Sequence, residues 1–530
     1  MKNFILVIIM LLATGTKLIA QWSTDPNNNL IVGYGLDPHI CSDSAGGCYI
    51  TYDYHSTSYP RWLALERLDK YGYKPWGINK RILGESPDQS GAEIIEDGSG
   101  GVIISYIDRY ENLPYWTQRV RVQKVDSNGN FLWEPTGVKI TLDEINQGTQ
   151  KIVSDGEGGA VIVWVNTLAE YKVNRISSEG QRMWGDSGIV AGINGYYDPP
   201  RLIRASDGNY YLEIREFIYK INSGGNIVRV DSVSLGYIVP DPEGGIVLSG
   251  RVWTGMIPKL VAQRKDSLGN NLWQEPYVEI ADSLYINTQL RIQYSNSYYF
   301  YGWSGTKNGV NRIAQFQALR SDGSKLYPEG SIAISDNSPL SVAGIIQSDA
   351  SKTIFIWNDD PNLPDSTLTQ MYDTLGNKIW IENGVVVAHP AISYQTYTTD
   401  VYGGYIIGGI INEFTVVAQQ VSKYGNLGEI ITSVPQEHQE ILPLETILYQ
   451  NYPNPFNSST IIRFQLPVAS EINIDLYNVL GEKAQTIVNG FYSSGIHTIN
   501  FSSCKLSSGI YLYKLKTETQ SLTKKLLIIK

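Results

Sequence analysis

The chain has 530 residues, of which 42% are hydrophobic and 18% are charged, and its formal net charge is −10. The apolar share excludes a disordered chain, because it is large enough to build a packed core. The negative charge argues against a nucleic-acid partner, because phosphate binding depends on clustered Lys and Arg. The 50 Gly and 36 Tyr residues indicate many strands joined by tight turns.

The N-terminal segment, residues 1–20, is predicted to be a signal peptide. Lys2 supplies a positive charge, Phe4 to Leu12 form an apolar run, and Ala20 is a small residue before a cleavage point at Gln21. The run is too short to span a bilayer comfortably, and no other stretch approaches the roughly 18 apolar residues that a membrane helix needs. We therefore expect an exported protein with no transmembrane segment in its mature form.

The cysteines leave two interpretations open. Three of them are too few for a disulfide framework. Cys41 and Cys48 flank a Gly-containing turn, so they are candidates for a disulfide between two strands, and export permits their oxidation. The alternative is that both are small buried apolar residues. Cys504 has no evident partner.

One pattern recurs from about Asn29 to Ile430, and its first half is an Asp-containing turn, a Gly pair and an apolar strand. Gly reaches the positive φ of a tight turn without steric cost, and the Asp side chain can bind neighbouring backbone amides. The clearest copies are Asp43-Ser-Ala-Gly-Gly47, Asp97-Gly-Ser-Gly-Gly101, Asp155-Gly-Glu-Gly-Gly159, Asp241-Pro-Glu-Gly-Gly245 and Asp400-Val-Tyr-Gly-Gly404.

The second half of the pattern is an apolar strand, an Asp-x-x-Gly turn and a Trp a few residues later. The clearest copies are Asp126-Ser-Asn-Gly-Asn-Phe-Leu-Trp133, Asp266-Ser-Leu-Gly-Asn-Asn-Leu-Trp273 and Asp373-Thr-Leu-Gly-Asn-Lys-Ile-Trp380. Copies at Gly225, Gly323 and Gly425 have lost the Trp. We expect the Trp side chains to fill the space between neighbouring sheets, where a large flat ring buries the most area.

Each repeat supplies about four short strands in roughly fifty residues, which is typical of a β-propeller blade, and about eight copies are present. The last copy never shows a Trp strand, whereas Trp22 and the segment Asn29-Leu-Ile-Val32 look like its missing outer half. We predict that residues 21–432 form an eight-bladed β-propeller whose first strand completes the last blade, which leaves no exposed sheet edge. An open β-solenoid and two smaller propellers in tandem are the alternatives.

The repeat pattern stops around Thr432, and residues 433–446 are predicted to be a linker because they are rich in Pro, Gln and Glu. Residues 447–530 then alternate apolar and polar positions around turns such as Asn478-Val-Leu-Gly481. This alternation predicts a small antiparallel β-sandwich of about seven strands. The predicted fold class is therefore all-β, an eight-bladed propeller followed by a C-terminal sandwich.

The C-terminal module closely resembles the type A sorting domain of the type IX secretion system, over roughly residues 447–530. The resemblance rests on a Tyr-Pro-Asn-Pro-Phe-Asn opening, a Leu-Tyr-Asn-Val-Leu-Gly centre, Gly residues at strand entries and a basic-apolar tail. The motif residues are Tyr452, Pro453, Asn454, Pro455, Phe456, Asn457, Gly481, Gly495 and Gly509. The resemblance implies passage through the periplasm and an outer-membrane translocon to the cell surface or the medium. The alternative is an accessory sandwich that only binds something.

No motif in the sequence predicts a catalytic residue, a metal site or a cofactor. The five His residues form no His-Glu-x-x-His pair and no Cys/His cluster, and no Gly-x-Ser-x-Gly elbow is present. Asp359, Asp360 and Asp365 lack the ligand spacing of a calcium loop, so a solvated loop is favoured. The Asp-x-x-Gly turns resemble sialidase Asp boxes but differ from them in spacing.

Two aromatic clusters are the remaining clue to function, one from Tyr49 to Trp62 and one from Tyr298 to Trp303. They are interpreted as core between blades rather than as exposed stacking platforms. The sequence predicts a cell-surface binding or adhesion module for a glycan or a protein. The alternative is a secreted glycan-active enzyme, a glycosidase or lyase, with its site at the ring centre. Three or more convergent Asp, Glu or Arg side chains there would favour the enzyme.

Overall fold

The structure is a computed structural model, and its described residues form β-strands and turns without any helix. The chain divides into two compact units, residues 1–431 and 432–530. Residues outside the description are 1–21, 55–60, 78–80, 84–87, 113–114, 194–198, 233–234, 255–256, 274–275, 283–284, 287–289, 296, 308–310, 335–340, 350–351, 359–364, 382, 429–445, 449, 452–453, 458, 467–469, 493–494, 503–505, 518–519 and 530. The predicted signal peptide and almost all of the predicted linker therefore lie outside the described residues.

The strands of the first unit form eight antiparallel blades, mostly of four strands each, and blades 8 and 1 are joined through β1 into one seven-stranded sheet. Blade 1 consists of β1 (Leu30–Ser42), β2 (Cys48–Tyr54), β3 (Trp62–Leu68) and β4 (Arg81–Ile82). Blade 2 consists of β5 (Asp88–Glu96), β6 (Val102–Asn112), β7 (Tyr115–Val125) and β8 (Val138–Lys139). Blade 3 consists of β9 (Gln147–Ser154), β10 (Ala160–Asn166), β11 (Glu170–Ile176) and β12 (Ile189–Ile193). Blade 4 consists of β13 (Arg201–Arg204), β14 (Tyr210–Ile214), β15 (Phe217–Ile221) and β16 (Ile227–Ser232).

The second half of the first unit repeats this order. Blade 5 consists of β17 (Tyr237–Pro240), β18 (Ile246–Thr254), β19 (Ile257–Lys265) and β20 (Val278–Asp282). Blade 6 consists of β21 (Tyr285–Ile286), β22 (Arg291–Ser295), β23 (Tyr298–Lys307), β24 (Asn311–Arg320) and β25 (Ile332–Ala333). Blade 7 consists of β26 (Ser341–Asp349), β27 (Lys352–Asn358), β28 (Thr367–Asp373) and β29 (Val385–Ala388). Blade 8 contributes β30 (Ser393–Thr399), β31 (Tyr405–Ile411) and β32 (Thr415–Val421).

The fourth strand of blade 8 comes from the other end of the chain. The first part of β1 pairs with β32, with Leu30 opposite Ala418 and Tyr34 opposite Thr415. The second part of β1, from Gly35 onward, pairs with β2 of blade 1. One strand therefore serves the last and the first blade, and the predicted closure of the ring by the N-terminal strand is confirmed.

The first strand of each blade, or β22 in blade 6, lies on the inside of the ring. These strands contact one another in a closed circle, β1 to β5, β9, β13, β17, β22, β26, β30 and back to β1. A cluster of buried apolar side chains fills each seam between neighbouring blades around this circle. The predicted eight-bladed β-propeller is thus confirmed, because an open solenoid would leave its first and last repeats apart.

The repeated Asp turns fix the connection between the first and second strands. In blade 1 the Oδ1 atom of Asp43 accepts hydrogen bonds from the backbone amides of Ala45 and Gly47, at 2.9 and 2.7 Å. Its Oδ2 atom binds Arg67 of β3 at 2.8 Å. The same position of the third strand contacts the turn Asp in other blades, through Lys124, Arg175, Arg264 and Gln420. These carboxylates are structural, since the turn and the third strand occupy them.

The repeated Trp residues join each blade to the next. The indole of Trp133 packs over Gly180 of the following blade, and its Nε1 donates to the carbonyl of Ser178 at 3.0 Å. The equivalent pairs, at 2.9 to 3.2 Å, are Trp22 with Lys70, Trp76 with Ser127, Trp184 with Ser223, Trp273 with Ser321 and Trp380 with Lys423. Arg229 and Tyr327 take this place in blades 4 and 6. The predicted inter-blade role of the Trp side chains is confirmed.

The second unit is a β-sandwich of two antiparallel sheets. Its strands are β33 (Ile447–Leu448), β34 (Ser459–Leu466), β35 (Ser470–Asn478), β36 (Lys483–Tyr492), β37 (Gly495–Ser502), β38 (Gly509–Lys516) and β39 (Ser521–Ile528). One sheet has the order β33-β34-β37 and the other β36-β35-β38-β39. Buried residues of both sheets, such as Phe464 and Tyr513, share one apolar core.

Candidate functional site

The inner strands of five consecutive blades, 7, 8, 1, 2 and 3, shift their pairing at a β-bulge, and in blades 8, 1, 2 and 3 a bulge residue also has a positive φ. The positive-φ residues are Asp37 (51°) in β1, Gly91 (63°) in β5, Thr149 (53°) in β9 and Tyr394 (50°) in β30. The inner strands β13, β17 and β22 of blades 4, 5 and 6 pair without such a shift. We call the four bulge residues of blades 8, 1, 2 and 3 the bulged arc.

The bulged arc is conformationally costly. A positive φ is uncommon outside Gly, and for a β-branched residue such as Thr149 it is a genuine outlier. At the non-Gly members Asp37, Thr149 and Tyr394, backbone strain of this kind costs of order 1–3 kcal/mol per residue, whereas Gly91 adopts its positive φ without that cost. Such strain clusters at functional sites, and bulges re-aim side chains next to them. Tyr394 also leaves 74% of its surface exposed, although it is a large aromatic residue. The arc is therefore the candidate functional site of the ring.

Charged side chains of the inner strands accompany the arc. The Nε2 atom of His39 lies 3.4 Å from Oδ1 of Asp37 in blade 1. Lys151 of β9 forms an ion pair with Glu93 of β5, which links blades 3 and 2. The side chain of Gln150 also donates to the carbonyl of Gly91 across the same seam. All four charged groups are partly exposed.

Three side chains in this region, those of His39, Asp37 and Asp53, have shifted pKa values. Burial lowers the pKa of His39, but the hydrogen bond to Asp37 and the charge of Glu93 outweigh it and leave that pKa raised. The same hydrogen bond lowers the pKa of Asp37. Burial, with the charge of Asp37, raises the pKa of Asp53 at the end of β2 to about 7. Asp53 is thus a carboxyl group that can gain or lose a proton near neutral pH.

Sequence reasoning missed this site, although a signal for it is present. Each arc residue lies six positions before the turn Asp of its blade: Asp37 before Asp43, Gly91 before Asp97, Thr149 before Asp155 and Tyr394 before Asp400. The common spacing places the four residues at one level of the ring. Their chemical types differ, so they form no motif that a search for catalytic or metal-binding residues would find.

The candidate cysteines do not meet. Cys41 packs with Tyr49 in the seam between blades 1 and 2, whereas Cys48 packs with Ile50 in the seam between blades 8 and 1. The two side chains lie on opposite faces of the sheet, and both are buried free thiols. Burial raises the pKa of each thiol well above its usual value. The two cysteines occupy the places of small apolar residues. Cys504 lies outside the described residues.

The other residues singled out by the sequence are mostly structural. Tyr49, Tyr52, Tyr299, Tyr301 and Trp303 are almost completely buried, as expected for core between blades. Asp359 and Asp360 lie outside the described residues, while Asp365 is described. Among the described residues, no group of three His, Cys, Asp or Glu side chains is arranged to hold a metal ion.

The motif residues of the C-terminal unit tie its opening segment to its last strand. Phe456 is buried, its amide donates to the carbonyl of Leu527 at 3.1 Å, and its carbonyl accepts from Ile529 at 2.9 Å. The side chain of Asn454 accepts from the amide of Leu527 and donates to the carbonyl of Lys525, at 2.8 and 3.2 Å. Tyr452 and Pro453 lie outside the described residues.

The glycines of the motif stand at turns and strand starts. Gly481 has a φ of 83° and closes a turn by donating to the carbonyl of Asn478. Gly495 and Gly509 are the first residues of β37 and β38. A buried Asn451 just before the motif binds Tyr513 and Thr460, at 2.8 and 2.9 Å. Pro455 and Asn457 lie on either side of Phe456.

Comparison with known proteins adds one family and several distant structures. Residues 450–530 match the model of the secretion system C-terminal sorting domain. No curated protein matches the sequence. No helix in the described part of the chain has the length and apolar character that a membrane crossing requires.

Similar solved structures include a protein of unknown function from Bacteroides caccae, with 11% identity over 67% of this chain and 93% of that one and a TM-score of 0.27. An ulvan lyase shows 8% identity over 76% and 97% of the two chains, with a TM-score of 0.38. PorZ, a surface component of the type IX secretion system of Porphyromonas gingivalis, shows 8% identity over 96% and 100%, with a TM-score of 0.16. At these TM-scores the likenesses support no conclusion about function.

The family match and the local contacts concern the same segment. Asn454 and Phe456, which tie the opening segment to the last strand, lie within the residues that the family model matches. Residues 450–530 therefore belong to the family of secretion system C-terminal sorting domains, which marks this chain for export across the outer membrane to the cell surface or the medium.

Proposed function

We propose that this chain is a type IX secretion cargo that binds a glycan outside the cell through the bulged arc of its propeller. The observation that supports this proposal is the arc itself, four consecutive inner strands that hold Asp37, Gly91, Thr149 and Tyr394 at positive φ. Sequences retain such strain where the placed side chains serve a purpose. The unshifted inner strands of blades 4, 5 and 6 indicate that a propeller blade does not require the bulge.

The chemistry of the arc suits a glycan. Tyr394 offers an exposed aromatic face on which a sugar ring can stack. Asp37, His39, Glu93 and Lys151 supply partly exposed hydrogen-bonding groups of both charges around the inner surface. A concave site with few convergent polar groups is the usual form of a small-molecule or oligosaccharide site.

The full mature protein, screened on a glycan array, tests the proposal. Wild type should bind a defined set of glycans, and Tyr394→Ala should weaken that binding at least tenfold, because it removes the stacking face. Tyr424→Ala is the matched control, since Tyr424 is also exposed but lies in the turn that follows β32. Equal binding by wild type and Tyr394→Ala would contradict the proposal. Binding only to protein ligands would contradict the glycan assignment.

A glycan-active enzyme is the second candidate, and Asp53 is the observation that favours it. A carboxyl group with a pKa of about 7, raised by burial and by the charge of Asp37, is suited to proton transfer near neutral pH. Release of new reducing ends or unsaturated products from a bound glycan, lost in Asp53→Asn, would support catalysis. Binding without product release by wild type would leave the arc as a binding site.

The export route of the protein depends on its N-terminal and C-terminal segments. We propose that residues 1–20 act as a signal peptide and that residues 433–446 link the propeller to the sorting domain. The translocon and sorting machinery of the type IX system would then be the partners of residues 447–530. N-terminal sequencing of the protein recovered from the medium tests the cleavage point after Ala20.

A further inference from the structure

A cleft opens between blades 2 and 3 beside one member of the bulged arc. Its volume is about 190 Å³. The residues that line it include Gln118 of β7, Asn146, Gly148 and Thr149 at the start of β9, and Asn166 and Thr167 at the end of β10. Thr149 is the arc residue whose positive φ is least expected, because it is β-branched. The strained bulge therefore forms part of the wall of a cleft.

Most of the polar groups in this wall are already engaged, which keeps the wall rigid. The side-chain oxygen of Asn146 accepts from the amide of Gln118 at 3.0 Å. The side-chain oxygen of Asn166 accepts from the amides of Leu168 and Glu170, each at 3.0 Å. The arrangement of the wall thus depends on hydrogen bonds within the protein and does not require a ligand to order it.

Two polar side chains in the wall are left for a ligand. Within the described part of the chain, the amide group of Gln118 and the hydroxyl group of Thr149 make no side-chain hydrogen bond. An amide offers two donors and an acceptor, and a hydroxyl offers one donor and two lone pairs. This combination matches neighbouring hydroxyl groups, each of which both donates and accepts.

The lining carries no charged side chain, but the carboxylate of Glu170 accepts a hydrogen bond from the lining residue Asn166 at 2.6 Å. Two further charged groups around the cleft are in ion pairs. Arg119 binds Glu144 at 2.7 Å, and Lys172 binds Asp143 at 2.5 Å. An anionic ligand would lose hydration in this cleft and meet the carboxylate of Glu170 without gaining an opposite charge, which is unfavourable. A neutral, hydroxyl-rich ligand loses less hydration free energy on entering the cleft, and its hydroxyl groups can form hydrogen bonds with both Gln118 and Thr149.

We propose that the cleft between blades 2 and 3 holds one neutral sugar ring, with Gln118 and Thr149 bound to neighbouring hydroxyl groups. This inference rests on the proposed glycan-binding function, and it specifies that one unit of the bound glycan is a neutral sugar. The charged groups Glu93 and Lys151 lie on the neighbouring part of the same inner surface. The cleft thus sets a preference for a neutral unit at one position of the glycan.

Gly148 provides a direct test, because a side chain there would fill the cleft. Its φ is not positive, and an added Cβ would meet nothing nearer than Oε1 of Gln118, at 3.9 Å. Gly148→Leu should therefore fold normally and lose binding of neutral monosaccharides at least tenfold, measured by saturation-transfer NMR and calorimetry with the full mature protein. Gly490→Leu is the matched control, since a Cβ on that sorting-domain glycine meets nothing within 4 Å.

Gln118→Leu is the second variant, in case the first one misfolds. The loss of its hydrogen bonds to the sugar should weaken neutral monosaccharides about threefold to tenfold, as expected for neutral hydrogen bonds. Wild-type affinity in a folded Gly148→Leu or Gln118→Leu protein would overturn the assignment of the cleft. Tighter binding of glucuronic or galacturonic acid than of the neutral sugars would overturn the neutral preference.

The array experiment separates this inference from the proposed function. If Tyr394→Ala abolishes glycan binding and Gly148→Leu does not, the function stands and the cleft assignment fails. If no glycan binds to wild type, both fail. If Gly148→Leu changes which glycans bind while Tyr394→Ala weakens all of them, both are supported.

Discussion

At the scale of single residues, the same side chain performs different tasks according to its surroundings. Asp43 accepts from two backbone amides and binds Arg67, so its charge is neutralised inside the turn. Asp53 is only 6% exposed, and its Oδ1 atom has no hydrogen-bond partner in the described part of the chain. A carboxylate in the first setting stabilises the fold, whereas burial in the second setting penalises the charged form.

The raised pKa of Asp53 gives a prediction with a definite sign. The folded-state pKa is about 7, against about 3.9 in an unfolded chain. Between these values the folded state binds more protons, so stability falls as pH rises from about 4 to 7, by up to about 4 kcal/mol. We expect Asp53→Asn to match wild type at pH 4 and to exceed it in free energy of unfolding at pH 8. Urea unfolding at both pH values measures this difference.

Asp126 provides a control of opposite sign for that measurement. Its burial is opposed by hydrogen bonds from Asn130, which leave the pKa of Asp126 lowered. The stability that it contributes is therefore present above about pH 4 and is lost as the pH falls. Asp126→Asn should be less stable than wild type at pH 8. If the free energy of unfolding at pH 8 rose in both Asp53→Asn and Asp126→Asn, or in neither, the assigned role of Asp53 would be contradicted.

At the scale of elements, blades 1 to 7 are each held to the next by a side chain that follows the turn after the third strand, and Trp22 from the N-terminal segment does the same for blade 8. The Trp ring packs against the turn glycine of the neighbouring blade, and its indole N–H satisfies a carbonyl of that turn. Glycine is required there, since a Cβ at Gly225 would lie 2.7 Å from the ring of Trp184. The turn glycine and the Trp of the preceding blade therefore form one packing contact, which is repeated around the ring.

Removal of one such Trp should weaken one seam. Trp133→Ala leaves a cavity above Gly180 and an unpaired carbonyl at Ser178, so we expect a loss of about 3–5 kcal/mol in unfolding free energy. Trp253→Ala serves as control, because Trp253 is 69% exposed, and its loss should change stability by less than about 0.5 kcal/mol. Equal effects of the two variants in chemical unfolding would show that the seam does not depend on the indole.

At the scale of the whole molecule, the ring depends on two distant parts of the chain. The edge of β32 is covered by residues Leu30 to Tyr34 of β1. Trp22 closes the same seam by donating to the carbonyl of Lys70. The propeller is therefore complete only when both ends of the unit are folded, which makes the closure a late and long-range event in folding.

Deletion of residues 22–34 should expose the edge of β32. An uncovered strand edge pairs with other chains, so the truncated protein should form oligomers or aggregates in size-exclusion chromatography and melt at a lower temperature. A monomeric truncation with the melting temperature of wild type would contradict the closure as the source of ring stability.

Deletion of residues 447–530 should leave the ring closed but stop export. The propeller should retain its melting temperature, since its strands and seams lie within residues 22–428. The protein should accumulate in the periplasm, detected by cell fractionation and immunoblotting, because the sorting domain is absent. Normal appearance of this truncation on the surface or in the medium would contradict the role of the domain in export.

The sequence by itself determined the repeat, its Asp and Trp turns, the number of blades, the closing strand and the sorting domain. These features are encoded locally, because turn chemistry and strand alternation depend on residues a few positions apart. Only the tertiary structure decided that Cys41 and Cys48 face opposite seams and that Asp37, Gly91, Thr149 and Tyr394 adopt positive φ on the inner strands of neighbouring blades. Those relations depend on bulges that shift the register of a strand and on side chains that different blades bring together, and no local pattern records them.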